Sequence, residues 1–303
     1  MIATEKTKYR LLGHISWGLS LVAAVETGRV MLRREYHKGG YRYTFWSDDA
    51  GERGEPVIFH RHPHIPSIYE FGDQRDNSYT LQEPVYGITL RTLSLGRRLP
   101  VERVVCVATC LCDAVGSLHG VTPCVDVAPH HVMLSVDGHV KLIGREERFL
   151  ECSGTLSRSE VIVNRLLPYL SPERLQGMAR GGGGAGDARS DVYSLGVSLW
   201  TWLVGENPHE LGIEPRSQMP LIYRIVRRGQ AGEPPVPSPR ELRPDVPAWL
   251  DDVVMRAMSP DPADRFQTMQ QMGEAILVGS GRKDEDEQTG HPPSVRDSSV
   301  RMV

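Results

Sequence analysis

No stretch of this 303-residue chain approaches the ~20 consecutive apolar residues that a membrane-spanning helix needs. The opening MIATEKTKYR is polar and lacks the apolar core of a signal peptide. A cytoplasmic protein without a membrane partner is therefore expected. Basic excess is also lacking. The 35 Lys and Arg stand against 38 Asp and Glu, a formal net charge of −3, so no nucleic-acid partner is expected. The five cysteines, Cys106, Cys110, Cys112, Cys124 and Cys152, form no CxxC pair and no metal-ligand spacing. They read as free buried thiols in a reducing compartment. No repeat of solenoid length is present. What remains is ordinary globular composition, 40% hydrophobic and 24% charged, at a length suited to one large domain or two lobes.

The first part of the chain reads as short strands. YRLLGHISW, LSLVAAVE and RVMLRREY are runs with apolar and β-branched residues, broken by Gly13, Gly18 and Gly28. HIPSIYEFG and NSYTLQEPV read as two more strands around a turn at Asp73–Asn77. From Pro100 the period changes. Val104, Val105, Ala108, Leu111, Cys112, Val115 and Leu118 follow helical spacing, with Gly120 after the end. VMLSV and HVKLIG then flank Asp137-Gly138, a hairpin signal. GGGGAG at 181–186 reads as a flexible loop. SDVYSLGVSLWTWLVG follows as a helix apolar nearly all round and therefore central, with Ser190 or Asp191 as its expected cap. Further helices are expected over 220–228, 246–258 and 266–278. From Gly279 the chain is polar and charged, and a disordered tail is expected.

Seven segments in this order resemble the protein kinase family in its bacterial Ser/Thr form. LLGHISWGLSLVAA resembles the glycine-rich loop, and HPHIPSIYEFG the strand after the regulatory helix. LQEPVYGITL resembles the hinge. LHGVTPCVDVAPHHVML with DGHVKLIG resembles the catalytic loop and metal-binding strand. YLSPERL resembles the end of the activation segment, SDVYSLGVSLWTWLVGENPHE the central helix, and DPADRF its late partner. The resemblance implies an α+β, bilobal protein kinase-like fold over residues 9–278, after an N-terminal segment 1–8. Its small β-rich N-lobe would cover about 9–86 and its mainly helical C-lobe about 87–278, with the polar tail at 279–303.

The same resemblance shows where the chemistry departs. Phosphoryl transfer is mostly positioning and charge neutralisation by backbone amides, a lysine and Mg²⁺. Gly13 and Gly18 of the glycine loop remain, but its middle glycine is Ile15, and Ser20 stands where the family has an apolar residue. The strand lysine is Arg33, whose planar fork is not equivalent to an ammonium. Met31 replaces a small residue over the adenine, and either fills part of that site or enlarges its roof. Glu52 and Glu55 stand near the place of the regulatory glutamate, as partners of Arg33 or as a solvated cluster. In the catalytic loop Asp126 keeps the base position. Val125 takes the place of an arginine, Ala128 of the γ-phosphate lysine, and His131 of a metal-ligating asparagine. A neutral imidazole is a poor Mg²⁺ ligand. Gly144 replaces the chelating aspartate, so both usual metal-ligand positions are lost and no metal is expected. Glu173, Arg265 and Asp191 match architectural positions, the first two a buried ion pair.

The leading expectation is a catalytically inactive pseudokinase. It would act as a scaffold or allosteric regulator in signalling, with an active kinase or another signalling protein as partner. No cofactor is expected, and ATP, if held at all, would be held weakly. One alternative is an atypical, weakly active Ser/Thr kinase that uses Asp126, with Glu146 or Glu147 on the metal. Another is a nucleotide-binding switch that uses the backbone of Glu83 and Val85 beside Gln82.

Overall fold

The computed structural model describes residues 9–16, 19–37, 62–73, 77–120, 124–125, 127–143, 166–179, 186–211 and 236–281. The chain divides after Tyr86 into two compact units.

In the N-terminal unit, five antiparallel strands form one sheet. They are β1 (Tyr9–Ser16), β2 (Leu19–Ala24), β3 (Val30–His37), β4 (Ile68–Asp73) and β5 (Asn77–Gln82), in spatial order β1-β2-β3-β5-β4. Gly28 turns the chain between β2 and β3 at φ 67°, a conformation that side chains resist. Val22 lies opposite Met31, Ser20 opposite Arg33, and Arg33 opposite Leu81. Opposed residues share a face, so Val22, Met31, Arg33 and Leu81 line one side. Val22, Met31, Tyr79 and Leu81 form its buried cluster. The sheet is strongly curled, because side chains of its two edge strands meet. Tyr9 of β1 donates its phenol to Glu70 of β4, and Tyr79 donates to the other carboxylate oxygen at 3.0 Å.

The C-terminal unit opens with β6 (Gly87–Thr89), α1 (Leu90–Ser94) and α2 (Val101–Leu118). Next come β7 (Val132–Ser135), β8 (Val140–Leu142), α3 (Pro172–Ala179) and α4 (Ala188–Val204). It closes with α5 (Pro239–Leu242), α6 (Ala248–Ala257) and α7 (Met269–Gly279). The Asp137-Gly138 turn joins β7 to β8, with Gly138 at φ 82° and Ser135 N–H donating to the His139 carbonyl at 2.8 Å. β6 adds a third strand along β7 that the residue pattern did not announce.

Helix α4 is the axis, buried at every position from Ser190 to Val204. It begins earlier than expected. Asp187, not Ser190 or Asp191, is the N-cap and accepts from Arg189 N–H at 2.8 Å. Ser190 and Asp191 are thereby carried into the buried first turn, where their side chains serve other partners. Three thiols of α2 are core groups. The Cys110 thiol is pushed up by its hydrogen bond with Cys106 and by burial. Burial raises Cys112 to about 12, so neither is a thiolate at neutral pH. Cys152, the expected 220–228 helix, residues 181–185 of the GGGGAG loop and the tail from residue 282 lie outside the described residues. Among the described residues no helix is long and apolar enough to cross a membrane.

Close approach of α4 and α6 depends on Gly196. A Cβ there would stand 2.9 Å from the Ala257 Cβ and 3.0 Å from the Met258 Cγ. Gly196→Val is expected to cost about 1–3 kcal/mol through overpacking, read as a lower urea midpoint.

Candidate functional site

In the N-terminal unit, Gly13 sits in β1 at a register shift, and a Cβ built on it meets nothing within 4 Å. Its glycine identity is thus not required by packing. Met31 is 4% exposed, wedged among Val22, Tyr79 and Leu81. Arg33 lies with its guanidinium over the Tyr79 ring, 4.5 Å from the centroid. Tyr79 is in turn tied to Glu70, so cation, ring and carboxylate form one chain of contacts inside the sheet. Gln82 pairs with Leu32, which puts it on the opposite face from Met31 and Arg33. Glu83 donates its backbone N–H to the Ser67 carbonyl at 2.8 Å. Its carboxylate accepts from Ser67 N–H at 3.1 Å. Val85 follows, half-buried, before Gly87. Gly18, Glu52 and Glu55 lie outside the described residues.

In the C-terminal unit, the described loop residues Cys124, Val125, Val127 and Ala128 are apolar and buried. Val127 and Ala128 have no exposure, Cys124 has 2% and Val125 9%. Ala128, at the expected lysine position, leads into a single tight helical turn, Pro129–His131. His131 is 5% exposed. Its backbone fixes the turn, donating to the Ala128 carbonyl at 2.9 Å and accepting from Ile143 N–H at 2.7 Å. Asp126, Gly144, Glu146 and Glu147 lie outside the described residues. Among the described residues no three His, Cys, Asp or Glu side chains gather where they could hold a metal ion.

The loop hangs from Asp191, which has no exposure. Asp191 Oδ2 accepts from Val125 N–H at 2.7 Å, and Oδ1 accepts from the Cys124 thiol at 3.3 Å. His119 Nε2, at the end of α2, is 2.8 Å from Oδ2. Against a carboxylate oxygen that nitrogen must carry the proton. Cys124 also packs at Gly186, where a Cβ would meet its sulfur at 3.1 Å and the Arg174 Cδ at 2.6 Å.

Glu173 and Arg265, 92 residues apart, meet as a bidentate pair. Nη1 donates to Oε1 at 2.8 Å and Nη2 to Oε2 at 2.9 Å. Arg265 has no exposure. Nε donates to the Ser259 carbonyl, Nη1 also to Arg189 and Nη2 also to Pro260. Five donors thus find five acceptors, the full capacity of a guanidinium. Ser190 adds a hydroxyl donor to Glu173 at 2.8 Å. Burial alone would raise the Glu173 carboxyl. The hydrogen bonds and charge of Arg265, with Ser171 and the backbone of Glu173, outweigh it and hold the group below its ordinary value.

No family model matches the chain. It is 31% identical over 233 residues to "Serine/threonine-protein kinase PknB" of Mycobacterium leprae, a match covering 74% of this chain and 35% of that protein. It is 24% identical over 213 residues to "Serine/threonine-protein kinase PrkC" of Bacillus subtilis, covering 70% and 30%. The PknI kinase domain of Mycobacterium tuberculosis superposes with a TM-score of 0.57 at 22% identity, covering 90% of this chain and 96% of that one. The fold is that of a protein kinase domain. By sequence the chain is homologous to the bacterial serine/threonine-protein kinases. It spans about a third of the length of the curated relatives it matches.

Arg265→Ala is expected to cost about 3 kcal/mol, since three carbonyls and a carboxylate lose their donor in a buried site. A pH series separates the charge itself. Because the folded-state value of Glu173 is depressed, its stabilisation is full above the ordinary value of 4.5 and fades as pH falls through the folded value. The stability gap between wild type and Glu173→Gln in urea titrations is therefore expected to be open at neutral pH and to close in acid.

Proposed function

We propose that this chain is a cytoplasmic pseudokinase, a protein kinase fold that works by binding protein rather than by transferring phosphate. Its partner would be an active kinase or another signalling protein, with neither nucleic acid nor membrane involved. The observation that carries the proposal is the joint replacement at Arg33, Ala128, His131 and Gly144. These four positions share one task, holding a metal-bound triphosphate. One loss is open to rescue from a neighbour, but four in one function are not. Local geometry supports the same reading. Arg33 lies over the Tyr79 ring, Ala128 is wholly buried, and Met31 is packed into the sheet core. The relatives carry the name kinase, and the Asp126 base position is kept here. A base without a positioned phosphate has no proton transfer to assist.

Thermal unfolding with ATP or ADP, each in EDTA, Mg²⁺ or Mn²⁺, tests the proposal. Millimolar ATP is expected to stabilise by no more than about 0.4 kcal/mol, the gain when ligand concentration equals Kd. The gain should be the same with and without metal. Phosphate transfer to a protein substrate in Mn²⁺ should be absent, and Asp126→Asn should change nothing. A metal-dependent shift, with transfer abolished by Asp126→Asn, overturns the pseudokinase reading and makes the chain an active kinase.

A further inference from the structure

The C-terminal unit carries a groove of about 620 Å³ on the side of α6 and α7. α6 contributes Trp249, Asp252, Val253 and Arg256, and α7 contributes Gln271, Glu274, Ala275 and Val278. Each set follows the i, i+3, i+4, i+7 spacing of one helical ridge. The other faces of these helices are spent inside the unit. Val254 and Ala257 of α6 are buried, and Gly196 of α4 lies against Ala257. Met272 and Ile276 of α7 are buried, and Gly273 lies against Cys112 of α2.

The groove is apolar at its floor. Val253 and Phe266 are 6% and 4% exposed, while Val278 on the α7 wall is 59% exposed. At one end Gly279 lets α7 close on Trp249, since a Cβ there would stand 2.3 Å from the indole. Around this floor two carboxylates stand against one cation. The guanidinium of Arg256 is laid over the Phe266 ring at 4.3 Å, facing the floor. Asp252 on one wall and Glu274 on the other are exposed, and neither forms an ion pair among the described residues. Except at Phe266, the lining is helical. Beyond the first turns its backbone donors are committed within the helices, so the groove offers no edge to an added strand.

From this arrangement we propose that the α6–α7 groove docks an amphipathic helix of a partner protein. The partner helix would seat apolar anchors at i, i+3, i+4 and i+7 on Val253, Phe266 and Ala275. Its flanking lysines or arginines would meet Asp252 and Glu274. A third helix laid between two ridges is the geometry that packed helices favour. A partly exposed Trp and a stacked Arg are the residue types that carry most binding energy in interfaces. Opposed carboxylates on the two walls select a basic partner and accelerate its arrival. The inference rests on the protein-binding reading above and names its surface.

The test uses the full chain and a fluorescein-labelled amphipathic helical peptide with a leucine face and lysine flanks. A twin peptide carries glutamate flanks. Anisotropy is read on wild type and on the charge-reversed variant Asp252→Lys/Glu274→Lys. Both substituted side chains are exposed, so the variant is expected to fold, and its unchanged unfolding midpoint verifies this. The lysine peptide is expected to bind wild type saturably and the variant at least about tenfold more weakly, with the preference inverted for the glutamate twin. Equal binding to both proteins, or no saturable binding to wild type, overturns the groove assignment. Self-association of wild type by light scattering that the variant loses also overturns it, because the occupant is then a second copy. Phosphate transfer by wild type and variant alike would defeat the pseudokinase reading on separate grounds, whatever the peptides do.

Discussion

The carboxylate of Asp191 holds the C-terminal unit in register. It lies without exposure in the first turn of α4, and it gathers the end of α2 through His119 and the following loop through Val125 and Cys124. A buried charge is costly unless its lone pairs are filled. Three donors from two chain segments meet this carboxylate and tie Cys124 and Val125 to α4. The same first turn places Ser190 on Glu173, and Glu173 on Arg265. Two sets of charge-assisted hydrogen bonds, rooted in adjacent residues of α4, thus tie the helix to the loop and to the start of α3 and the approach to α7.

Architecture and chemistry part company at this point. The groups that fix the loop are intact, while Arg33, Ala128, His131 and Gly144 depart from the residues that the family resemblance leads one to expect there. Val127, Ala128 and His131 are buried as part of the core. Arg33 follows the same logic in the N-terminal unit. Its charge is retained, but the Tyr79 ring beneath it belongs to a contact chain that closes the curled sheet.

Local rules made some of the fold legible. The Asp137-Gly138 pair announced the β7–β8 hairpin, and the helical spacing from Val104 to Leu118 announced α2. The Glu173–Arg265 contact was legible only through resemblance, since no local pattern links residues 92 positions apart. The α4 start was misplaced because GDARSD offers several capping side chains in succession, and tertiary burial decides among them. β6 is three residues long, with too little periodicity to be seen without β7 beside it. The face occupied by Gln82 depends on strand register, and one residue of slip exchanges the faces. The tie from Tyr9 to Glu70 crosses the sheet and leaves no trace in either neighbourhood.

That tie has an evolutionary consequence. Glu70 accepts from Tyr9 and from Tyr79, and Tyr79 also carries Arg33 on its face. Losing one phenol leaves the carboxylate short of a donor, whereas replacing the whole group with apolar side chains of matching shape can be nearly neutral. The four positions therefore form an epistatic block. A lineage can keep it or exchange it wholesale, but single steps out of it pass through less stable intermediates. Descendants of this chain should vary at these positions together or not at all.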